Sequence, residues 1–270
     1  MKDKFSLKNI SFVFATLGII IELVNNLKYY NLRGYQILTQ HFISTFLIPF
    51  IFFLIAFILY FISIKIKKKG NKKMITIGID IDSTINKAHY YDIIHGREFC
   101  QQNKIDRGEY LNCLSIKEMF KLTDEEYRKY MEKFFPWNCN YNIPELAAAS
   151  VIRTLIKDHR IIIITARDEN YSKTSYTGEM MKKDTKNWFR KFNIPYNDII
   201  FSCTDKAKVC KENNVDIMID DDPVHILSCA DAGIHTIIMS QSYNEYIIGH
   251  INTMYARGWI DVYHLIKLIK

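Results

Sequence analysis

The chain has 270 residues, 49% of them apolar, with ten Gly and five Pro, and 36 Lys/Arg against 29 Asp/Glu give a net charge of +7. That charge is local: residues 1–64 carry five basic and two acidic residues, residues 65–73 six Lys and no acid, and the remainder 25 basic against 27 acidic. The composition excludes a disordered chain, and because a nucleic-acid-binding domain spreads its Lys and Arg over the folded surface, no nucleic-acid partner is expected.

Two apolar stretches come first. Residues 10–27 are interrupted by Glu22 and read either as a spanning helix or as a signal peptide; the lack of a small-residue cleavage site between Ile21 and Asn26 favours the helix. Residues 42–64 carry no charge at all. At roughly 1.5 Å per helical residue that stretch covers the ~30 Å hydrocarbon core, so residues 1–64 are expected to anchor the protein in a lipid bilayer through transmembrane helices. Lys65, Lys67, Lys68, Lys69, Lys72 and Lys73 follow as a basic linker, 65–73. The positive-inside rule keeps such a cluster in the cytoplasm, together with everything after it.

Residues 74–85 form a strand-like apolar run that stops at Asp80, Asp82, Ser83 and Thr84. Asp, Ser and Thr also close strands merely by bonding nearby backbone, so this run alone reads equally well as a turn. From about 86 to 142 the chain is polar and aromatic, with helical stretches at 115–120 and 123–135, the second opening on a capping box at Thr123 and Glu126. A small helical insertion is expected there. Strand and helix then alternate: helix 144–157, strand 160–165, helix 182–192, strand 198–202, helix 206–212, strand 215–219, a helix to 231 and a last strand 235–239. Such alternation predicts α/β architecture with a parallel, doubly wound sheet over 74–270. The six Cys show no Cys-x-x-Cys pair and no zinc-like His spacing, so reduced and mostly buried thiols are expected.

On a parallel sheet all these strands end on one edge, where ligands of open α/β folds bind. The first ends in Asp80 and Asp82, the second in Thr165 and Arg167, the third in Ser202 with Lys206 just beyond, and the fourth in Asp220, Asp221 and Asp222. Several carboxylates gathered with a hydroxyl and a Lys repel unless a cation joins them. Mg²⁺ with a phosphate supplies it, since Mg²⁺ takes one or two carboxylates plus phosphate oxygens and water.

Asp80-Ile-Asp82-Ser-Thr84, Thr165, Lys206 and Asp220-Asp221, in that order on successive strand ends, resemble the four motifs of the haloacid dehalogenase superfamily of phosphohydrolases. Ile-Gly-Ile-Asp-Ile-Asp, Ile-Ile-Thr-Ala-Arg, Asn193-Ile-Pro-Tyr196, Lys206 four before Cys210, Ile-Asp-Asp-Asp-Pro and Tyr243-Asn244 narrow the resemblance to the 5'(3')-deoxyribonucleotidases of the cytosolic C type and their bacterial relatives, over about 74–265. The resemblance implies a three-layer Rossmann-like core with a small helical cap inserted after the first strand. It implies a phosphomonoesterase, in the narrower reading a 5'-nucleotidase, acting on a phosphorylated small molecule with a nucleotide first in line. Asp80 would be the nucleophile that takes up the phosphoryl group, and Asp82 the acid and base. Thr165 would bond a phosphoryl oxygen, Lys206 would neutralise charge, and Ser83, Thr84 and Arg167 would face substrate. Mg²⁺ would be held by Asp80, the Asp82 backbone carbonyl, Asp220 and Asp221, with Asp221 favoured as the direct ligand of that pair. Ser83 stands where the family usually has Gly.

Several residues keep two readings. Asp222, just before Pro223, reads as a helix N-cap more than a ligand. Arg167 either contacts substrate or pairs with an acid such as Asp168, and Lys208 is a weaker alternative to Lys206. His89, His95 and His225 lack metal spacing and read as surface or core residues. Tyr90, Tyr91, Phe99 and Tyr110 either stack on a base or form the core of the cap, the commoner use. An idle phosphate-binding module tethered to a membrane complex is the competing function, opposed by the intact Asp80 and Asp82 pair. A receiver domain is opposed by the order Asp-x-Asp-x-Thr, because its phospho-accepting Asp follows a later strand than its acidic pair.

Overall fold

The structure is a computed structural model that describes residues 14, 16–21, 48–70, 74–168 and 176–269. The chain divides into two compact units, Met1–Lys73 and Met74–Lys270. In the first unit residues 16–21 are helical, and helix α1 (Ile48–Gly70) continues through much of the segment expected to be a basic linker. Most of the expected span 10–27, and residues 42–47 of the second, lie outside the described residues. Among the described residues no helix is long and apolar enough to cross a membrane.

The second unit is built on a six-stranded sheet in the order β3-β2-β1-β4-β5-β6. Its strands are β1 (Thr76–Ile79), β2 (Arg160–Ile164), β3 (Asp198–Ile200), β4 (Ile217–Asp220), β5 (His235–Met239) and β6 (Thr253–Ala256). Every pairing is parallel, with Ile77 opposite Ile161 on one side and Ile217 on the other. Alternate residues face opposite layers. Ile77, Ile79, Ile161, Ile163, Ile217 and Ile219 pack against helices α5 (Ala148–Leu155), α6 (Gly178–Lys191) and α9 (Trp259–Leu268). Ile162, Ile164 and Met218 pack on the other face against Cys210 of α7 (Lys206–Glu212) and Cys229 of α8 (Pro223–Asp231). Three layers result, and the near-continuous Ile runs follow from burial on both faces. Gly78 is needed for the fit, because a Cβ there would come within 2.8 Å of Met218 Sδ. Cys139, Cys203, Cys210 and Cys229 are buried free thiols, and Cys100 and Cys113 are half-buried.

The insertion is helical: α2 (Ala88–Gln102), α3 (Ile116–Met119) and α4 (Asp124–Tyr141). A bridge between Asn86 and Pro144 and the bond from Lys87 N to Ile143 O close its neck. Its own core contains Phe99, Met119, Phe120, Tyr130 and Phe134. Phe120 lies so close to Gly96 of α2 that a Cβ would meet the ring at 2.1 Å. The capping box at Thr123 and Glu126 is formed. Helix α4 nonetheless runs past the expected stop at 135, carrying Pro136 inside, because Tyr130, Phe134 and Cys139 bury one continuous face. Strand β6 has no counterpart in the sequence reading: it is short and mostly half-buried at a sheet edge, which gives a weak pattern.

Candidate active site

The strand order reverses where β1 and β4 lie side by side, the switch point at which open α/β sheets form a crevice. Asp80 extends the pairing by one bond, from its N–H to Ile219 O at 3.0 Å. The chain then folds into a tight loop whose Thr84, Ile85 and Asn86 N–H groups all return to Ile81 O. Ser83 sits in the left-handed region at φ +59°, which explains why Gly suits this position. Its strain is offset by neighbours. Asn86 Oδ1 accepts from Ser83 N and Ala88 N, both at 3.0 Å, Gln241 Nε2 donates to Ser83 O, and the buried Trp259 indole donates to Thr84 O.

Lys206, 1% exposed, opens α7 and donates 2.7 Å bonds to Asp80 Oδ1 and to Asp220 Oδ2. Two buried carboxylates are thus bridged by one ammonium. Burial lifts the Asp80 carboxyl to about 7 against the pull of Lys206, while Asp220 and Asp82 push the same way as burial. Burial alone would depress the Lys206 ammonium, but Asp220 and Asp80 hold it above its usual value. Asp220 Oδ1 also accepts the N–H groups of Asp221 and Asp222. Asp221 is held differently, by hydroxyls from Thr84 at 2.8 Å and from Tyr243. No cation pairs with it among the described residues, and burial with the nearby Asp220 and Asp80 pushes its carboxyl well up. Asn244 Nδ2 fastens the Asp221 carbonyl and the end of β5 at Met239 O.

Asp82 lies beside this chain. Arg167 reaches it from the end of β2 with two bonds, Nε to Oδ2 at 2.8 Å and Nη2 to Oδ1 at 2.7 Å, and Asn86 Nδ2 adds a third. Burial pushes the Asp82 carboxyl up, but Arg167, Asn86 and Lys206 together outweigh it and hold it below its usual value. Arg167 also donates to Thr185 on α6, so its strong partner is Asp82 rather than Asp168. Thr165 is buried and accepts from Arg167 N.

A cavity of about 180 Å³ lies over these groups, lined by Asp80, Asp82, Ser83, Thr165, Arg167, Lys206, Asp220 and Asp221 from the core and by His89, Asp92 and Leu114 from the cap. All expected site residues therefore converge except Thr84, which is fully buried and donates its hydroxyl to Asp221. Lys208 is exposed, and its ammonium lies 4.0 Å from Glu212. Asp222 caps α8 through a bond from Val224 N at 2.8 Å, with Pro223 as the first helical residue. Asp222→Ala should therefore lower stability by about 1 kcal/mol, read by urea denaturation. His89 and His225 line the cavity, a departure from the surface or core reading, while His95 packs between Phe134 and Trp137 in the cap. Phe99 is cap core; Tyr90 and Tyr110 are exposed. A larger, more open hollow of about 370 Å³ lies at Phe189 to Tyr196, before β3 begins and so at the opposite sheet edge. The Asn193-Ile-Pro-Tyr196 run belongs there and not to the acidic centre.

Sequence reading missed Asn86, Gln241 and Asp92, and set His89 aside as a surface or core residue. Asn86 is four residues past Asp82, but nothing local distinguishes an Asn that pins a loop from one on a surface.

No family model matches the chain. A nucleotidase of Clostridium acetobutylicum is 24% identical over 197 residues, covering 72% of this chain and 94% of that protein. A candidate 5'(3')-deoxyribonucleotidase of Chlorobaculum tepidum is 34% identical over 85 residues, 32% of this chain and 38% of the relative. Among solved structures, a haloacid dehalogenase-like family hydrolase of Streptococcus pneumoniae superposes with a TM-score of 0.50 at 14% identity, over 72% of this chain and 98% of that one. With the parallel sheet, the cap after β1 and the acidic centre at the switch point, this chain has the haloacid dehalogenase-like hydrolase fold, with nucleotidases among its homologues.

Proposed function

We propose that the protein is a membrane-anchored, Mg²⁺-dependent phosphomonoesterase that works through an aspartyl-phosphate on Asp80, with a nucleotide as its leading substrate. The observation that carries the reading is the buried Asp80, Lys206 and Asp220 chain with Asp221 beside it under an open cavity. Ligand oxygens of Asp80, Asp220 and Asp221 lie within 4.8 Å of one another, a hard-oxygen set that fits Mg²⁺ and in which one ammonium, Lys206, stands against three carboxyl groups. Asp80, Asp220, Asp221 and the Asp82 carbonyl would hold the ion, which when bound supplies charge neutralisation to the phosphoryl oxygens.

In the first step Asp80 bonds to phosphorus as the ester oxygen departs, and that oxygen takes a proton from Asp82. Paired with Arg167 the Asp82 carboxyl is ionised, so it must first leave that pairing, take up a proton from solvent as burial raises it, and then meet the leaving oxygen. In the second step Asp82 takes a proton from water, whose oxygen attacks phosphorus and frees Asp80 and inorganic phosphate. Lys206 and Thr165 stabilise the phosphoryl oxygens throughout. The test is phosphate release by the full chain in detergent, with and without EDTA, across nucleotides and sugar phosphates. Activity independent of divalent ions, or none at all, counts against the reading. Asp221→Ala should raise the Mg²⁺ concentration for half-maximal activity about tenfold or more, and Asp222→Ala far less; an exchange of those two phenotypes would move the ligand assignment.

Membrane anchoring rests on the charge-free residues 42–64 and on α1, whose Phe50, Phe57 and Phe61 are 64%, 61% and 55% exposed. So much exposed apolar surface in one helix marks a face that meets lipid or protein. Lys65 to Lys73 would keep the catalytic unit cytoplasmic. An alkaline phosphatase reporter fused after Lys73 should then be inactive in intact cells, and strong reporter activity would reverse the topology.

A further inference from the structure

The cavity has two chemically different walls. The floor holds the acidic centre, and the facing wall is cap: His89 and Asp92 from α2, with Leu114. His89 and Asp92 are three residues apart and therefore share one face of the helix. Asp92 Oδ1 is fixed by two donors on α4, Tyr130 Oη at 2.9 Å and Asn138 Nδ2 at 3.2 Å. Its Oδ2 accepts nothing from the described residues. His89 Nδ1 is buried with no partner there, while the ring is held edge-on by Tyr243 at 4.9 Å. The wall therefore offers a carboxyl fixed at one oxygen beside an imidazole ring whose Nδ1 is itself buried. The only cations lining the cavity among the described residues, Arg167 and Lys206, are already committed to Asp82 and to Asp80 with Asp220.

We propose that Asp92 and His89 form the leaving-group subsite, selecting phosphomonoesters whose leaving group is uncharged and carries hydroxyl or amino hydrogens, as a sugar or nucleoside does. This rests on the phosphatase reading above. A donor hydrogen on the leaving group satisfies the half-buried Asp92 Oδ2 and stabilises its ionised form, whereas a leaving group without a donor displaces water from that oxygen and returns no bond. Burial raises the Asp92 carboxyl to about 7, so above neutral pH a carboxylate or second phosphate on the leaving group meets it as a like charge, with no cation free on that wall. Leu114 supplies apolar contact beside the polar pair.

The test compares kcat/KM of the full chain, in detergent with Mg²⁺, on a nucleoside monophosphate, on phosphoglycolate with its anionic leaving group, and on p-nitrophenyl phosphate, which has no donor. Wild type should rank the nucleoside monophosphate above phosphoglycolate by about 100-fold or more. Asp92→Asn keeps the volume and removes the charge. It should lower the ratio of nucleoside monophosphate to p-nitrophenyl phosphate by about tenfold or more, chiefly through KM, and narrow the gap to phosphoglycolate. Equal losses on all three substrates, or unchanged ratios, overturn the subsite. If the variant melts early, the wild-type ranking decides alone: a preference for phosphoglycolate overturns the proposal. Phosphate release from none of the three by wild type overturns the phosphatase reading itself, which separates the two failures.

Discussion

Asp80→Asn should reduce phosphate release by at least about 10³-fold, the scale on which loss of a covalent nucleophile is felt. The fold should survive, because the amide keeps the volume and its oxygen still accepts from Lys206. Stability should even lose a pH dependence. The Asp80 carboxyl titrates near 3.8 when unfolded and about 7 in the fold, so between those values the native state holds more protons than the unfolded one. Its contribution is therefore fully present below about 4 and is lost as pH rises through 7. In metal-free buffer, wild-type stability should fall across that window more steeply than that of Asp80→Asn, in which this group is absent. Urea denaturation at pH 4.5 and pH 7.5 measures the difference. Retention of more than a few per cent of wild-type turnover would remove Asp80 from the nucleophile role, whatever the stability data say.

Lys206→Met should have the largest combined effect. The ammonium is buried between Asp80 and Asp220, so its removal leaves two buried carboxylates facing each other without a cation. Breaking a buried pair by deleting one partner costs about 3–5 kcal/mol, far more than loss of a solvent-screened ion pair such as Arg97 with Glu109. Turnover should also fall about 10²- to 10³-fold, since a preorganised charge aimed at the phosphoryl oxygens is lost. Denaturation in EDTA separates the two effects from metal binding. A variant within 1 kcal/mol of wild type would show that the chain of charges is not what the geometry implies, and normal kcat would remove Lys206 from the phosphoryl site.

Among the elements, the Ile-rich central strands and the locally capped helix were legible, and features shaped only by what packs against them were not. The Ile runs of β1, β2 and β4 announce a parallel sheet because both faces are covered, and Thr123 with Glu126 announces α4 because capping is a local interaction. Strand β6 and the passage of α4 through Pro136 depend on what packs against them, and no window of sequence contains that information.

For the acidic centre, sequence by itself determined that Asp80, Asp82, Thr165, Lys206, Asp220 and Asp221 share one sheet edge, because parallel strands must all end on the same side. It also determined that Asp222 caps a helix, since Pro223 follows it. Tertiary structure alone decided the pairings: Lys206 with Asp80 126 residues away, Arg167 with Asp82 85 away, and Thr84 and Tyr243 with Asp221. It alone laid His89 and Asp92 over the cavity. The physical reason is that the places of the strands along the chain follow from the hydrophobic pattern, whereas the partner of a buried charge is set by which helix or loop packs within ~3 Å of it, and that distance exists only once the layers have closed.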